Sequence, residues 1–158
     1  MVDTFQSAEG KTKEVKRELQ FIDSYKFTLS SLDDLVKNMP RSSFKLTKKY
    51  CDALNFTPEQ FGLLLRKGVF AYDWFDSFSK LKERKLPPKE AFFSMLYNKD
   101  ISDDDCAHAQ KVWKTFKMRT MKDYHNLYLD SDVILLADVF KNFRDVCSQH
   151  NKLDPAWY

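Results

Sequence analysis

The sequence has few glycines and no grouping of metal-binding cysteines or histidines. Three glycines among 158 residues leave no glycine-rich loop, which excludes the phosphate-binding loops of P-loop and Rossmann domains. The three cysteines and three histidines are scattered along the chain and show no spacing typical of a zinc site. Reduced thiols are therefore expected, as in an intracellular protein.

The sequence also lacks any apolar run long enough to cross a membrane, and its N-terminus lacks the apolar segment of a signal peptide. Its apolar share of 43% and charged share of 31% are typical of a globular domain, and its length suits one domain. We therefore expect a soluble, intracellular protein without a membrane partner, and the sequence leaves a nuclear location open. The net charge of +3 is compatible with nucleic acid without requiring it.

Aromatic residues, by contrast, are abundant, at 15% of the chain with 14 phenylalanines. They are explained either by an aromatic core or by surfaces that stack on nucleic-acid bases. Composition alone favours the core for the aromatic segment 72–81. Two basic runs, at 45–49 and 80–85, are expected to be solvated, and either could approach phosphates.

Most of the chain is predicted to be helical. Four helix starts are predicted from capping residues, namely Ser31, Thr57, Ser102 and Thr120. The helix that begins at Thr57 is expected to stop near Gly68. Shorter helices are predicted over 72–81 and from Pro87 to Leu96.

The N-terminal part is predicted to contribute the strands. Residues 19–27 alternate between apolar and polar side chains, which predicts a strand with Asp23 on its more apolar face. The polar segment before it is expected to be the other arm of a hairpin, since Glu9-Gly10 is a turn signal. The predicted fold class is therefore α+β, predominantly helical, with an N-terminal strand or hairpin.

The longest predicted helix covers residues 121–147 and follows Thr120, which forms a capping box with Asp123. Apolar residues recur along it at alternating steps of four and three, so that they form one stripe. The members of this stripe are Leu129, Val133, Leu136, Phe140, Phe143 and Cys147. A second row beside the stripe consists of Tyr124, Tyr128, Asp132, Leu135 and Val139.

Asp132 is the most informative residue of the second row, because it follows Tyr128 by one turn and has apolar neighbours after it. A carboxylate at the edge of a buried arc is costly unless it has a proton, a cation or a hydrogen-bond donor beside it. Asp130 and Asp138, by contrast, are predicted to lie on the opposite, more polar side. A second tyrosine–aspartate pair with the same spacing occurs earlier in the chain, so the spacing alone also fits a pair on a helix surface.

Two further polar groups have plain structural interpretations. Arg66-Lys67-Gly68 fits a helix end, because cations favour the C-terminal dipole and glycine suits a left-handed cap. Asp23-Ser24 fits a partly satisfied polar pair within the predicted strand. Neither group indicates chemistry on its own.

Together, three motifs occur in an order that resembles a known family. They are Phe21-Ile-Asp-Ser-Tyr-Lys-Phe27, Leu65-Arg-Lys-Gly-Val-Phe-Ala-Tyr72 and Tyr128-Leu-Asp-Ser-Asp-Val-Ile-Leu-Leu136. They resemble family B DNA polymerases of the protein-primed organellar and viral type, and especially those of Polinton/Maverick transposable elements. The segments 86–92, 108–115 and 153–158 support the resemblance.

The resemblance implies a role for six residues. The region would be the C-terminal half of a 3′→5′ exonuclease domain with a ribonuclease-H-like fold. Asp132 would be a ligand of catalytic Mg²⁺ or Mn²⁺, Tyr128 would orient the attacking water, and Lys67 would act at the scissile phosphate. Ser24, Tyr25 and Tyr72 match the positions that hold the single-stranded 3′ end of DNA in that family.

The sequence also departs from the family. The first two exonuclease motifs are expected before Leu19 and the polymerase palm after Tyr158, and nothing in the sequence fits either. One carboxylate cannot hold two divalent cations, so the chain alone is expected to be inactive as a DNA-directed DNA polymerase and as an exonuclease.

The resemblance therefore implies a fragment of a DNA-replication enzyme, whose other partners would be the rest of the polymerase and a terminal protein primer. Its expected organisation is an N-terminal arm at 1–18, a partial exonuclease domain at 19–153 and the start of the connection to the palm at 154–158. Two alternatives remain: a non-catalytic single-stranded-DNA-binding or interaction module derived from a transposon polymerase, and a helical domain unrelated to nucleic acid.

Overall fold

The computed structural model describes residues 2–6, 12–16, 23 and 25–157, which are predominantly helical. The strands β1 (Val2–Gln6) and β2 (Thr12–Lys16) come first. Six α-helices follow: α1 (Tyr25–Thr28), α2 (Leu32–Asn38), α3 (Lys45–Ala53), α4 (Pro58–Leu64), α5 (Asp103–Thr115) and α6 (Met121–Asn151). Short 3-10 helices occupy Arg41–Ser43, Phe78–Lys82, Lys89–Phe92 and Pro155–Trp157. Among the described helices, none combines the length and the apolar character needed to cross a membrane.

The two strands pair antiparallel, with Val2 opposite Lys16 and Gln6 opposite Thr12. A hairpin is thus present, but the prediction that residues 19–27 form its second arm was wrong. Where that segment is described, it contains the short helix α1, and Asp23 is exposed. The Asp23 carboxylate accepts a hydrogen bond from the Tyr25 N–H at 3.0 Å, and such local bonds compete with strand pairing. The ribonuclease-H-like fold stays a prediction.

The helix starts predicted from capping residues are confirmed. Thr57 and Thr120 each form a complete capping box, and Ser31 and Ser102 each accept a bond from the backbone N–H three residues later. The helices predicted over 72–81 and from Pro87 to Leu96 were wrong, because only 3-10 turns form there. Neither turn has a side-chain cap to satisfy its first N–H groups.

The helix α4 ends at Leu64 rather than near Gly68. Gly68 does not adopt a left-handed conformation, so it is not the cap expected from the sequence. A Cβ atom at this position would lie 3.1 Å from Cδ2 of Tyr128, which is closer than ordinary van der Waals contact. Gly68 therefore lets the backbone after α4 approach the Tyr128 ring.

The core consists of two clusters that α6 connects. The first packs α4 and α5 against the start of α6, and its buried members are Leu63, Ala109, Val112, Met121 and Tyr124. The second packs α2 and the start of α3 against the middle of α6, through Val36, Phe44, Leu135 and Val139. One 31-residue helix thus organises both halves of the described structure.

The buried face of α6 is not the apolar stripe of the sequence. Its buried residues are Met121, Tyr124, Tyr128, Ser131, Leu135, Asp138 and Val139. The stripe residues Leu129, Val133 and Leu136 are instead 46%, 68% and 39% exposed. The second row of the sequence therefore faces the core, and the first half of the stripe faces solvent.

The prediction that Asp138 lies on a polar side was also wrong, since only 1% of this residue is exposed. Its carboxylate accepts 2.8 Å bonds from the backbone N–H groups of Leu46 and Thr47 and from the Thr47 hydroxyl. These N–H groups belong to the first turn of α3, whose own N-cap, Phe44, has no capping side chain. Asp138 therefore caps α3 from another helix, where a carboxylate also complements the dipole.

Candidate functional site

Lys67, Tyr128 and Asp132 meet beside α6. The ammonium group of Lys67 lies 2.8 and 3.1 Å from the two carboxylate oxygens of Asp132 and 3.1 Å from the Tyr128 hydroxyl. The Tyr128 hydroxyl lies 3.0 Å from Asp132. Lys67 reaches this point from the loop after α4, more than sixty positions earlier in the chain. Asp132 therefore has a cation and a hydrogen-bond donor beside it, either of which lowers the cost of its position.

Tyr72 joins the cluster through a short hydrogen bond between its hydroxyl and that of Tyr128. The chemistry of the groups determines the donors. Asp132 can only accept, so Tyr128 gives its proton to Asp132, and it must accept from Lys67 and Tyr72. Burial raises the pKa of Tyr128 to about 12, and burial also raises the pKa of Tyr72. Both side chains are therefore neutral phenols at physiological pH, which can donate hydrogen bonds but cannot act as bases.

Aromatic packing holds the cluster in place. The Phe70 ring stacks on Tyr128 with 5.2 Å between centroids and meets Tyr72 edge-on at 5.3 Å. Gly68 supplies the space that the Tyr128 ring occupies. The Tyr124 hydroxyl, one turn before Tyr128, donates to the Val69 carbonyl oxygen at 2.6 Å and ties the same loop to α6. The loop carrying Lys67 is thus attached to α6 at several points.

A groove of about 580 Å³ opens beside the cluster, and Lys67, Tyr72 and Tyr128 form part of its lining. Tyr97 and Lys99 line it as well, from a turn that closes through a bridge between Ser94 and Lys99. Ligand pockets commonly enclose about 300–1,000 Å³, so the groove has the size for one nucleotide. Tyr72 is 65% exposed and Tyr97 77% exposed, which leaves both rings accessible for stacking.

Carboxylates also line this groove, and most of their charge is compensated. Asp33 is paired with Lys37 at 2.6 Å, and Asp105 is paired with Arg66. The charges of the lining thus nearly balance. Recognition of a strand in this groove would therefore depend on stacking more than on net charge.

The ligands available for a metal ion are few. Both oxygens of Asp132 are engaged by Lys67, and one also by Tyr128. Within the described ranges, no group of three or more aspartate, glutamate, histidine or cysteine side chains is arranged to hold a metal ion. Mg²⁺ needs several oxygen ligands at near-octahedral geometry. These residues alone therefore do not fit a pair of divalent cations, and Asp132 could supply only one of the protein ligands.

The remaining residues predicted to bind DNA are not part of this cluster. Tyr25 lies in α1 and is 59% exposed, and in the described part of the chain it makes no hydrogen bond or ring contact with the cluster. Ser24 lies outside the described residues. Their predicted role at the 3′ end stays a prediction.

Sequence reasoning missed Tyr97 and Lys99, and it placed Asp138 on the wrong side. No sequence signal identified the first two, because only the turn between Ser94 and Lys99 brings them to the groove. For Asp138 a signal existed: the helix after Phe44 starts without a capping residue, so its first N–H groups needed a distant acceptor.

The cluster thus combines a carboxylate, an ammonium group and two neutral phenols at the edge of an open groove. The chain matches no protein-family model, no curated protein and no solved structure at a significant level. The functional interpretation therefore depends on the geometry of this cluster and on the order of the sequence motifs.

Proposed function

We propose that this chain contributes the C-terminal half of the 3′→5′ proofreading exonuclease region of a protein-primed family B DNA polymerase. In this proposal the groove beside Lys67 receives the unpaired 3′ end of DNA. Asp132 would be one ligand of Mg²⁺ or Mn²⁺ in the intact enzyme, and other carboxylates would have to complete the site. A terminal protein primer and the rest of the polymerase are the proposed protein partners.

The observation that carries the proposal is the meeting of four residues from two distant motifs. Lys67 and Tyr72 come from the second motif of the resemblance, and Tyr128 and Asp132 come from the third. A chance match between sequence patterns would not require their side chains to touch. The contact between Lys67 and Asp132 is therefore independent support for the order of the motifs.

The groups suit the proposed task in specific ways. An ammonium group near a phosphodiester can stabilise negative charge that develops on its oxygens. A neutral phenol such as Tyr128 can orient a water molecule or a phosphate oxygen through a hydrogen bond. The exposed ring of Tyr72 offers a face on which any base can stack, as a site for mismatched ends needs. No chemical step follows from these residues alone, because the metal ligands are incomplete.

Binding of a frayed 3′ end tests the proposal. A fluorescent oligonucleotide duplex with about four unpaired nucleotides at its 3′ end should bind more tightly than the same duplex fully paired. Tyr72→Ala should weaken binding of the frayed end by a factor of at least about five, because stacking of one base on an aromatic ring contributes about 1–3 kcal/mol. Tyr50→Ala is the matched control, since its hydroxyl is bonded to Asp130 away from the groove. Equal binding of frayed and paired ends would overturn the proposal.

The chain by itself is proposed to be inactive as an exonuclease. The purified protein should release no nucleotide from 3′-labelled single-stranded DNA with Mg²⁺, because one carboxylate cannot hold two cations. Asp132→Ala is the diagnostic variant, and Asp145→Ala, on the exposed side of the same helix, is its control. Nucleotide release that persists in Asp145→Ala and disappears in Asp132→Ala would contradict the proposed inactivity.

A second candidate is a non-catalytic single-stranded-DNA-binding module, and the pairing of Asp132 with Lys67 favours it. In such a module, the lysine takes the place of a metal as the counter-ion of the carboxylate. Titration with Mn²⁺ separates the two candidates, because this paramagnetic ion broadens nearby amide NMR signals. The titration has to reach millimolar Mn²⁺, because Asp132 alone would hold the ion only weakly. Broadening around Asp132 that Asp132→Asn abolishes favours the exonuclease, whereas DNA binding without any broadening at such concentrations favours the module.

A further inference from the structure

Seven exposed basic side chains lie next to the start of α6, in two segments of the chain. We call them the basic cap: Lys82, Arg84, Lys85, Lys114, Lys117, Arg119 and Lys122. A hydrogen bond of 2.8 Å from the Met121 N–H to the Glu83 carbonyl oxygen joins the two segments. Residues 82–85 and 114–122 therefore form one surface rather than two separate basic runs.

None of the cap residues forms an ion pair within the part of the chain that the structure describes. Cations elsewhere are commonly paired, as Lys37 is with Asp33 and Lys141 with Asp145. The acids nearest in sequence do not neutralise the cap. The carboxylate of Asp123, for example, is occupied as the N-terminal cap of α6, where it accepts the N–H groups of Arg119 and Thr120 at 3.0 and 2.9 Å.

The charge of the molecule is strongly concentrated in this cap. The seven cations, less the carboxylate of Glu83 between them and that of Asp123 directly after the second segment, leave a charge of +5 over residues 82–85 and 114–123, whereas the whole chain carries +3. All remaining residues together therefore carry −2. A surface of this kind attracts polyanions and raises their association rate.

Helix stability does not explain the position of these cations. Only Lys114 lies in the last turn of α5, where a cation is favourable. Lys122 lies in the first turn of α6, where the positive end of the helix dipole disfavours a cation. Like charges are also crowded in both segments. The arrangement thus slightly destabilises the fold, which indicates that these cations serve an interaction with another molecule.

The cap stands on a packed base, so its cations are held at defined places. Trp113, Phe116 and Met118 pack against the first core cluster between cap residues, as does Leu86 beside Lys85. The chain turns after α5 through Lys117, which has a left-handed backbone with φ of 50°. The Met118 N–H bonds the Trp113 carbonyl oxygen at 3.1 Å and closes this turn.

An exposed aromatic ring lies at the edge of the cap. Phe78 is 85% exposed and begins the 3-10 helix that ends at Lys82. It is the one exposed large hydrophobic residue in the described segments 78–85 and 114–122. A single ring among many cations suits a polyanion that has bases to stack, whereas a membrane surface calls for several apolar side chains.

We propose that the basic cap, with Phe78, is a binding surface for single-stranded nucleic acid. The cations contact the phosphodiester backbone without sequence preference, and the Phe78 ring stacks on one base. The cap shares the first turns of α6 with the groove at Tyr128 and is distinct from it. The inference rests on charge and exposure, and does not depend on any role of Asp132.

Binding of an oligothymidine of about 16 nucleotides, followed by fluorescence anisotropy, tests the cap. The cap variant carries Arg84→Gln, Lys114→Gln and Lys122→Gln. The control variant carries Lys48→Gln, Lys89→Gln and Lys141→Gln, three cations that form ion pairs away from both the cap and the groove. Both variants lose three positive charges. Similar thermal unfolding midpoints for the two variants would show that both remain folded.

The salt dependence should separate the two variants. Between about 50 and 200 mM salt, the slope of log affinity against log salt should become shallower by about 2 in the cap variant, because three phosphate contacts are lost. The control variant should keep the slope of the wild-type protein. Phe78→Ala should lose at least about fivefold in affinity with its slope unchanged. Equal slopes in the two triple variants would overturn the proposed role of the cap in nucleic-acid binding.

Two further comparisons distinguish binding at the cap from binding in the groove and from binding to a membrane. Loss of binding in the cap variant with full binding in Tyr72→Ala would support the cap while contradicting a strand in the groove. The reverse result would overturn the cap and leave the groove supported. The inference would also be overturned if the protein bound vesicles containing an anionic phospholipid but did not bind oligothymidine.

Discussion

The two sides of α6 differ in a way that their composition does not suggest. The buried side carries Tyr124, Tyr128, Ser131 and Asp138 besides its apolar residues, whereas the exposed side carries Leu129, Val133 and Leu136. Each polar group on the buried side has a hydrogen-bond partner. Burial along this helix therefore follows the partners that the rest of the chain provides, rather than hydrophobicity alone.

Two of those partners come from outside α6 and one from α6 itself. The Val69 carbonyl oxygen accepts from Tyr124, and the first turn of α3 donates to Asp138. The Ser131 hydroxyl instead donates within the helix, to the Tyr128 carbonyl oxygen at 2.9 Å. A satisfied polar group costs little to bury, and an unsatisfied one costs about 1–3 kcal/mol. The exposed leucines and valine have no such partner element in the described structure.

Truncation of neighbouring leucines gives the largest expected contrast between the two sides. Leu135 of α6 is fully buried against α2 and the start of α3, so Leu135→Ala should lower the free energy of unfolding by about 2–5 kcal/mol. Leu136→Ala removes the same atoms from an exposed position and should cost less than about 1 kcal/mol. Urea denaturation measures both changes. Equal losses would mean that the exposed side is covered in solution.

Removal of the buried carboxylate should be nearly as severe. Asp138→Ala leaves two N–H groups of α3 and the Thr47 hydroxyl without their acceptor, so we expect a loss of about 3 kcal/mol. Asp130→Ala, on the exposed side, removes only an exposed bond to Tyr50 and should cost less than about 1 kcal/mol. Denaturation in urea again provides the measurement, and a small effect at Asp138 would contradict the capping role.

Alanine substitutions at two glycines should have smaller effects on stability, and the two effects should be opposite in sign. Gly68→Ala places a Cβ atom 3.1 Å from the Tyr128 ring, so it should destabilise the fold by about 1 kcal/mol and displace the ring from Lys67. Gly62→Ala lies within α4, where the nearest atom is 3.8 Å away, and should stabilise the helix by about 0.5–1 kcal/mol. Thermal unfolding of both variants checks the signs. Stabilisation by Gly68→Ala would exclude the tight contact.

Ionisation of Tyr128 should have the smallest effect, because it is confined to alkaline pH. Its pKa is about 12 in the folded protein against 10.0 without the fold. The folded state therefore holds the proton more tightly, so stability is complete below pH 10 and falls as the pH rises towards 12. Ultraviolet titration should show one fewer late-titrating tyrosine in Tyr128→Phe than in the wild type. An unchanged late phase would contradict the burial of this hydroxyl.

Local sequence signals predicted the start of each capped helix correctly. Thr120 and Asp123, for instance, lie three residues apart and satisfy each other's backbone N–H groups without help from the rest of the chain. The sequence also indicated that Asp132 needs a proton, a cation or a hydrogen-bond donor beside it, without deciding among the three. Lys67 became the specific candidate only through the order of the motifs.

The failures concern features that depend on distant partners. Residues 25–28 form a helix in place of the predicted strand, because Asp23 bonds the Tyr25 N–H locally and β1 already has its partner in β2. The aromatic segment after Tyr72 stays in turns. Its Phe75 stacks on His125 of α6, and Phe70, just before the segment, contacts the same ring edge-on. Such contacts are invisible to periodicity, which records one segment at a time.

The sequence by itself determined that the chain is mainly helical, where its capped helices begin and that α6 is its longest element. Only the tertiary structure decided which side of α6 is buried, which residue caps α3 and which cation meets Asp132. The physical reason is one of range. Capping and helical periodicity act within a few residues, whereas burial and ion pairing depend on atoms that the fold brings together from more than sixty positions away.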